Sequence, residues 1–460
     1  MMKIKQAETP RAQSIWRGCK LTLLLLALSG SAGASDDMTM GQIFGSLFTP
    51  PVAKTPDPRY PPIREIRFHG NRVTIPRTML QEMQLKTGDP ADPELIERSR
   101  QGIMDLGLFK RVDIKTVEED DGVILDVTVE EKYFLLPLPT FARSADGDLS
   151  YGVNLKWDNI AGRNQSLAAD FKIKDFKGAK VNKEKSFGLD YRYPRIRGSA
   201  WDINIFSNFS DESVNARDDE ESVYQREATS IGFKLGRWFR KIGPSRGWFF
   251  RAGLIARHRE HNLLEGKPGL FEDGSRGSYL MEIGYTEVHD HLFSRTGREF
   301  GYEMEWGHSD IGEEGDFTTN NFYYRRFTWL NDKPHHNLNY QLRAGFSSDT
   351  FFNEPTYELG GASTLRGYAR DSVFGNAYLL ANVVYLRPLF GHNSVRGAVF
   401  LDVGNAWPDV GDIDITDLEA GAGVGIHWKI KSFVKLQLRV DVGISANGDT
   451  KVYAGTKAPF

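Results

Sequence analysis

From residue 133 to residue 460 the chain repeats one pattern, in which apolar and polar side chains alternate with a period of two. Leu167, Ala169, Phe171 and Ile173 fall on one side of such a run, with Ala168, Asp170, Lys172 and Lys174 on the other. Phe187, Leu189, Tyr191 and Tyr193 oppose Gly188, Asp190 and Arg192, and Phe300, Tyr302, Met304 and Trp306 oppose Glu303 and Glu305. Near the end, Val434, Leu436, Leu438, Val440 and Val442 oppose Lys435, Gln437, Arg439 and Asp441. A strand turns successive side chains to opposite faces, so the period predicts strands with one charged and one aliphatic face.

About sixteen such segments begin near residues 134, 149, 165, 184, 199, 226, 247, 278, 297, 319, 337, 375, 394, 418, 433 and 450. An even count closes a barrel with both ends on the same side. Turn sequences such as Ala145-Asp146-Gly147-Asp148 and Asn331-Asp332-Lys333-Pro334 supply hairpins. A soluble β-sandwich with one charged face is the alternative, but it would leave a large wet apolar surface that soluble monomers avoid. Aromatics at 12% and 46 glycines suit a membrane barrel, and no long apolar run past residue 28 provides a membrane helix.

The first 34 residues read as a secretory signal. Lys3, Lys5, Arg11, Arg17 and Lys20 precede the apolar run from Leu21 to Leu28, and Ala32-Gly33-Ala34 offers cleavage after Ala34. The only cysteine, Cys19, lies before that run, so a mature chain would carry none, which suits an oxidising compartment without disulfides. Residues 35 to 62 hold six prolines and read as an extended linker.

Residues 63 to 132 form a compact α+β unit in the order β-α-α-β-β. A strand runs from Ile63 to His69, and helical stretches follow at 77 to 85 and 93 to 106, the second with Asp92 as N-cap and Pro93 at its first position. Strands then place Val112 and Ile114 inward, and Val123, Leu125, Val127 and Val129 on one face.

The long gap after the eleventh segment, residues 348 to 374, contains Gly360-Gly361-Ala362-Ser363-Thr364-Leu365-Arg366-Gly367-Tyr368, and Phe400-Leu401-Asp402-Val403-Gly404 lies downstream. The phrase GG…LRGY followed by FxDxG resembles the outer-membrane surface-antigen superfamily of BamA, TamA and the two-partner-secretion transporters. The β-α-α-β-β unit, with Gly107-Leu108-Phe109 before its second strand, resembles the POTRA module that this superfamily carries on its periplasmic side. The resemblance implies a transmembrane β-barrel of about sixteen antiparallel strands at residues 133 to 460, preceded by one POTRA-like domain, in a bacterial outer membrane. It further implies that the loop folds into the barrel and that its Arg pairs with an acid on the inner wall. Arg366 is that Arg, Gly360, Gly361, Gly367 and Tyr368 complete the loop motif, and Phe400 and Gly404 flank Asp402.

Strand parity turns Arg396, Phe400, Asp402 and Gly404 to the lumen, so Asp402 is available to Arg366, with Asp441 and Glu419 as rival acceptors. If the POTRA resemblance holds, the strand from Arg111 is a sheet edge, where Arg111, Val112, Asp113, Ile114 and Lys115 are placed to pair with an extended client. A plain spacer role for the unit stays open. Pro137 and Pro139 weaken the first barrel strand and Gly455 the last, which fits a seam that parts sideways and equally fits strands that end early. Phe460 resembles the C-terminal aromatic of outer-membrane barrels, with Pro459 an unusual neighbour.

By resemblance, the partners are outer-membrane lipid, unfolded or extended polypeptides and periplasmic accessory proteins, and the activity is protein insertion or translocation. The alternative is a passive channel or a structural receptor. No cofactor or enzymatic activity is implied. The histidines show no metal-ligand spacing, no nucleophile elbow, Walker loop or dinucleotide fingerprint occurs, and a net charge of −3 does not point to nucleic acid.

Overall fold

The structure is a computed structural model that describes residues 57–143, 149–175, 183–215, 221–239, 246–308, 317–349, 352 and 354–456. Ala34 and the rest of the proposed signal, most of the proline-rich linker, the Ala145 to Asp148 turn and Phe460 lie outside the described residues.

The α+β unit comprises β1 (Ile63–His69), α1 (Pro76–Leu80), α2 (Pro93–Asp105), β2 (Phe109–Glu119) and β3 (Gly122–Glu131). Its sheet has the order β1-β3-β2, with β1 parallel and β2 antiparallel to the central β3. A central strand must be apolar where it meets helices, and Val123, Leu125, Val127 and Val129 of β3 are all buried. Asp92 caps α2 by accepting from the Glu94 backbone N–H at 2.9 Å, and Pro93 occupies the first turn, where its missing N–H costs nothing. Leu95 and Ile103 of α2 face Met79 of α1 and Phe109 and Val112 of β2 in one core. The first helix is shorter than its sequence pattern predicts, ending at Leu80. The ordered unit also starts before Ile63, because the carbonyls of Pro61 and Pro62 accept from Ala91 and Val123 at 2.9 and 3.0 Å.

Sixteen antiparallel strands follow in one sheet. They are β4 (Leu135–Arg143), β5 (Leu149–Ile160), β6 (Gln165–Asp175), β7 (Glu184–Tyr193), β8 (Trp201–Asn215), β9 (Val223–Phe239), β10 (Arg246–Glu265) and β11 (Gly274–Asp290). Then come β12 (Arg295–Gly307), β13 (Phe317–Trp329) and β14 (Asn337–Ser347). Two short loop strands, β15 (Tyr357–Leu359) and β16 (Val373–Gly375), pair only with each other among the described residues. The wall resumes with β17 (Ala377–Leu389), β18 (His392–Trp407), β19 (Glu419–Lys429), β20 (Gln437–Ser445) and β21 (Thr450–Gly455). Each wall strand pairs with its neighbours in sequence, with β14 joined to β17 across the loop.

Outward positions are aliphatic or aromatic. Ile231, Phe233 and Leu235 of β9, Tyr279, Met281 and Ile283 of β11, Val399 and Leu401 of β18, and Val440, Val442 and Ile444 of β20 are all exposed. Exposed apolar residues at every second position make a belt that only lipid covers favourably. No helix among the described residues is long and apolar enough to cross a membrane. One run departs from its sequence reading: β20 begins at Gln437, not near residue 433, and Val434 and Leu436 are buried in the preceding turn. Val434 joins the core of the α+β unit, so its apolar character serves that contact and not the lipid belt.

The two domains meet at several hairpin turns. In the turn after β5, Gly162 O accepts from Thr78 Oγ1 and Asn159 Nδ2 donates to Thr74 Oγ1, each at 2.8 Å. Beyond β7, Arg195 forms an ion pair with Glu82. At the end of β11, Asp105 binds His289 Nδ1 at 2.7 Å and accepts from the Asp290 backbone N–H at 2.8 Å. In the turn after β19, Ser432 O accepts from Tyr133 N–H at 2.7 Å. These turns belong to strands spread around the sheet, so the small domain reaches across one mouth of the barrel. The bridge between Tyr133, just before β4, and Phe433, in the turn before β20, also brings the two ends of the sheet together.

Candidate functional site

The loop between β14 and β17 enters the lumen as the β15–β16 hairpin with a tight tip. Gly360 adopts φ +115°, and a Cβ there would stand 2.0 Å from Ala369 O; Gly367 adopts φ +102°, and a Cβ would stand 2.6 Å from Ser445 N. Only glycine fits both positions. Thr364 Oγ1 closes the tip by accepting from Gly360 N–H at 2.9 Å and donating to Gly360 O at 2.8 Å.

Arg366 sits at the point of deepest contact, 1% exposed. Its Nε donates to Asp402 Oδ2 at 2.7 Å and its Nη2 to Asp402 Oδ1 at 2.8 Å, a two-pronged charged contact, and its backbone N–H adds a third bond at 3.1 Å. The guanidinium carbon lies 3.5 Å from the centre of the Phe400 ring, so one strand supplies both the anion and the aromatic face. Asp402 is fully buried and also accepts from Asn382 Nδ2 at 2.7 Å; Asn382 in turn donates to Thr364 O at 2.6 Å and accepts from Gln341 at 2.8 Å.

The two rival acids hold other parts of the same loop. Asp441 Oδ2 is 3.5 Å from Arg366 Nη1, but its shorter contacts are to His427 at 2.8 Å and Arg439 at 2.9 Å. Arg439 also donates to Ala362 O at 2.9 Å. Glu419 accepts from the Tyr368 hydroxyl. Tyr453 of β21 accepts from Gly367 N–H at 3.0 Å and donates to Tyr368 O at 2.9 Å. Gly404 turns inward beside Leu380, where a Cβ would stand 2.6 Å from Leu379 O. Gly361, with φ +86°, completes the bend.

Two features of this site become apparent only in the folded chain. Gly421, Gly423 and Gly425 alternate along the inner face of β19, and a Cβ at Gly421 would stand 1.9 Å from Arg366 O. The wall is bare where the loop lies on it; the Gly-Ala-Gly-Val-Gly run was the available signal. A second anchor lies nearer the loop's start, where Glu354 meets Arg226 at 2.8 Å, Arg259 at 2.6 Å and His261 at 3.2 Å. Burial opposes its ionisation, yet the His261 hydrogen bond and the Arg259 and Arg226 charges hold the Glu354 carboxyl down to about 2. Arg259 and His261 share one face of β10, but nothing in that spacing points to Glu354, 95 and 93 residues further on.

The other sequence-chosen positions lie apart. β2 is an edge of its sheet, with Val112 buried, Ile114 packed against the core, and Arg111, Asp113 and Lys115 exposed. Pro137 and Pro139 lie in β4 opposite Leu155 and Val153, and Gly455 closes β21 opposite Arg439. β4 and β21 are the two ends of the strand order, and no pairing joins them among the described residues. No group of residues that could hold a metal occurs among the described residues.

Comparison with known proteins adds to this geometry. Residues 159–451 match the Omp85 superfamily domain, and residues 61–132 match the POTRA family described as a surface antigen variable number repeat. The chain belongs to the Omp85 superfamily. It is accordingly an outer-membrane β-barrel protein with its POTRA domain in the periplasm. A 70-residue stretch is 34% identical to the outer membrane protein assembly factor BamA of Nitratidesulfovibrio vulgaris; it covers 15% of this chain and 9% of that relative. Among solved structures, CdiB from Escherichia coli aligns with a TM-score of 0.59 at 16% identity, over 86% of this chain and 75% of CdiB. CdiB from Acinetobacter baumannii aligns with a TM-score of 0.56 at 12% identity, over 86% of this chain and 73% of that one. At those identities the likeness is one of fold.

Proposed function

We propose that this Omp85 protein inserts or translocates polypeptides at the outer membrane, its POTRA domain receiving an extended client at the β2 edge and its barrel passing the client on. The observation that carries this reading is the Arg366–Asp402 lock. A loop held inside the lumen by a buried charge pair stands in the path of a client, so transport calls for the loop or the wall to move. β4 and β21, which no pairing joins among the described residues, supply a place for the wall to part, and the exposed residues of β2 supply an edge for strand addition. No cofactor is needed, because burial of the client's own apolar surface drives its insertion. Members of this superfamily act as assembly factors and transporters, so no enzymatic role is assigned. The proposed domain plan is a signal to Ala34, a linker to residue 62, the POTRA domain at 63–132 and the barrel from 133, with the inward loop at 348–374.

The test is reconstitution. Purified protein in lipid vesicles is mixed with an unfolded outer-membrane polypeptide, and folding of the client is followed by its shift in gel mobility. The proposal expects faster folding than in empty vesicles and loss of that gain with Arg366→Ala. A passive channel would conduct ions and leave client folding unchanged.

A further inference from the structure

At the periplasmic end of the lumen lies a cavity of about 400 Å³ that the loop lock does not use. Lys156 of β5, Arg295 of β12, Arg396 of β18, Lys429 of β19 and Lys435 of the following turn line it, against one carboxylate, Asp290. Asp290 stands 3.6 Å from Lys429 Nζ, and Lys156 Nζ donates to Val434 O at 2.8 Å with Asp158 at 3.5 Å. Arg396 is different. It is 4% exposed, its side chain makes no hydrogen bond or ion pair with any described residue, and its Nε is buried without a partner. Its inward parity aims the guanidinium at the cavity, opposite His427 across the ladder, and His427 is already bound to Asp441.

A guanidinium withdrawn from water and given no anion is a costly arrangement that folding alone does not call for. Four further cations around the same cavity raise the local potential, so a singly charged group would leave most of it unbalanced. From this juxtaposition we propose that the cavity binds a phosphate group, received two-pronged by Arg396 and neutralised by Lys429 and Lys435. A phosphate carries up to two charges and matches the planar fork of an Arg side chain. The group is either free phosphate or part of a phospholipid headgroup, two sources of the same chemistry.

The test uses the full-length protein in detergent and phosphate-free buffer, titrated with inorganic phosphate by calorimetry, with acetate at equal ionic strength as the control. Saturable phosphate binding that acetate does not reproduce, weakened at least tenfold in Arg396→Gln, supports the site. Lys435→Gln, on an exposed side chain, serves if Arg396→Gln does not fold, and should weaken binding several-fold. Phosphorus analysis of the purified protein separates the sources: phospholipid retained by the wild type and lost from the variant identifies a headgroup, and titration alone identifies free phosphate. Absence of saturable binding together with absence of retained phospholipid overturns the proposal, as does equal binding by acetate or by both variants.

Discussion

Arg366 is a cation between two buried carboxylates, and each contact limits what a substitution can do. Removing it leaves Asp402 buried with Asn382 as its remaining side-chain donor, at a cost of about 3–5 kcal/mol for an uncompensated buried charge. Arg366→Ala should therefore release the loop and raise single-channel conductance in planar bilayers; traces identical to wild type would contradict the lock. Arg366→Lys should recover only part of the effect, because one ammonium cannot reproduce two parallel bonds to Asp402. The Glu354 anchor sets a pH window of its own. Its folded carboxyl titrates at about 2 against an ordinary value of 4.5, so its contribution is complete above 4.5 and is lost as the pH falls from there through about 2. Proteolytic protection of the loop's first half should persist at pH 5 and fall away between pH 4 and 2. In Glu354→Gln that acid-dependent loss should be missing.

At the scale of elements, the loop and the wall beneath it fit by absence of side chains. Gly421→Val would drive a side chain into Arg366 O and should expose the loop to trypsin at Arg366 and Arg370, with the barrel's heat-modifiable mobility kept. The seam makes a separate prediction. With no pairing between β4 and β21 among the described residues, their amides should exchange with deuterium well before those of β9 and β10, each bonded on both sides. Equal protection would show a closed ladder. Much of the wall was legible in the sequence, because a period of two with one lipid-facing side leaves a trace in every strand from Leu135 to Gly455. Val434 shows the limit of the pattern: period and polarity are alike whether an apolar residue faces lipid or a docked domain, and only the tertiary contact separates them. Glu354 was not legible, since its partners lie 93 to 128 residues away on other strands and no local spacing records them.

On the scale of the whole molecule, the POTRA domain is bound to the turns after β5, β7 and β19 and to the end of β11, and the inward loop enters the lumen from the other side. The docking also rests on Val434 in the core of the POTRA domain, and the loop on hydrogen bonds with Tyr453, Arg439 and Asn382 besides the Arg366–Asp402 pair. Among the described residues the β2 edge pairs only with β3, and Asp113 and Lys115 are exposed. The most direct measurement is photocrosslinking in cells from a reactive residue substituted at Lys115, followed by identification of the captured chains. Unfolded outer-membrane or secreted polypeptides should be captured through this edge and not from an equivalent position on β1. Capture of structural neighbours alone would contradict it and leave the barrel as a channel with a periplasmic anchor.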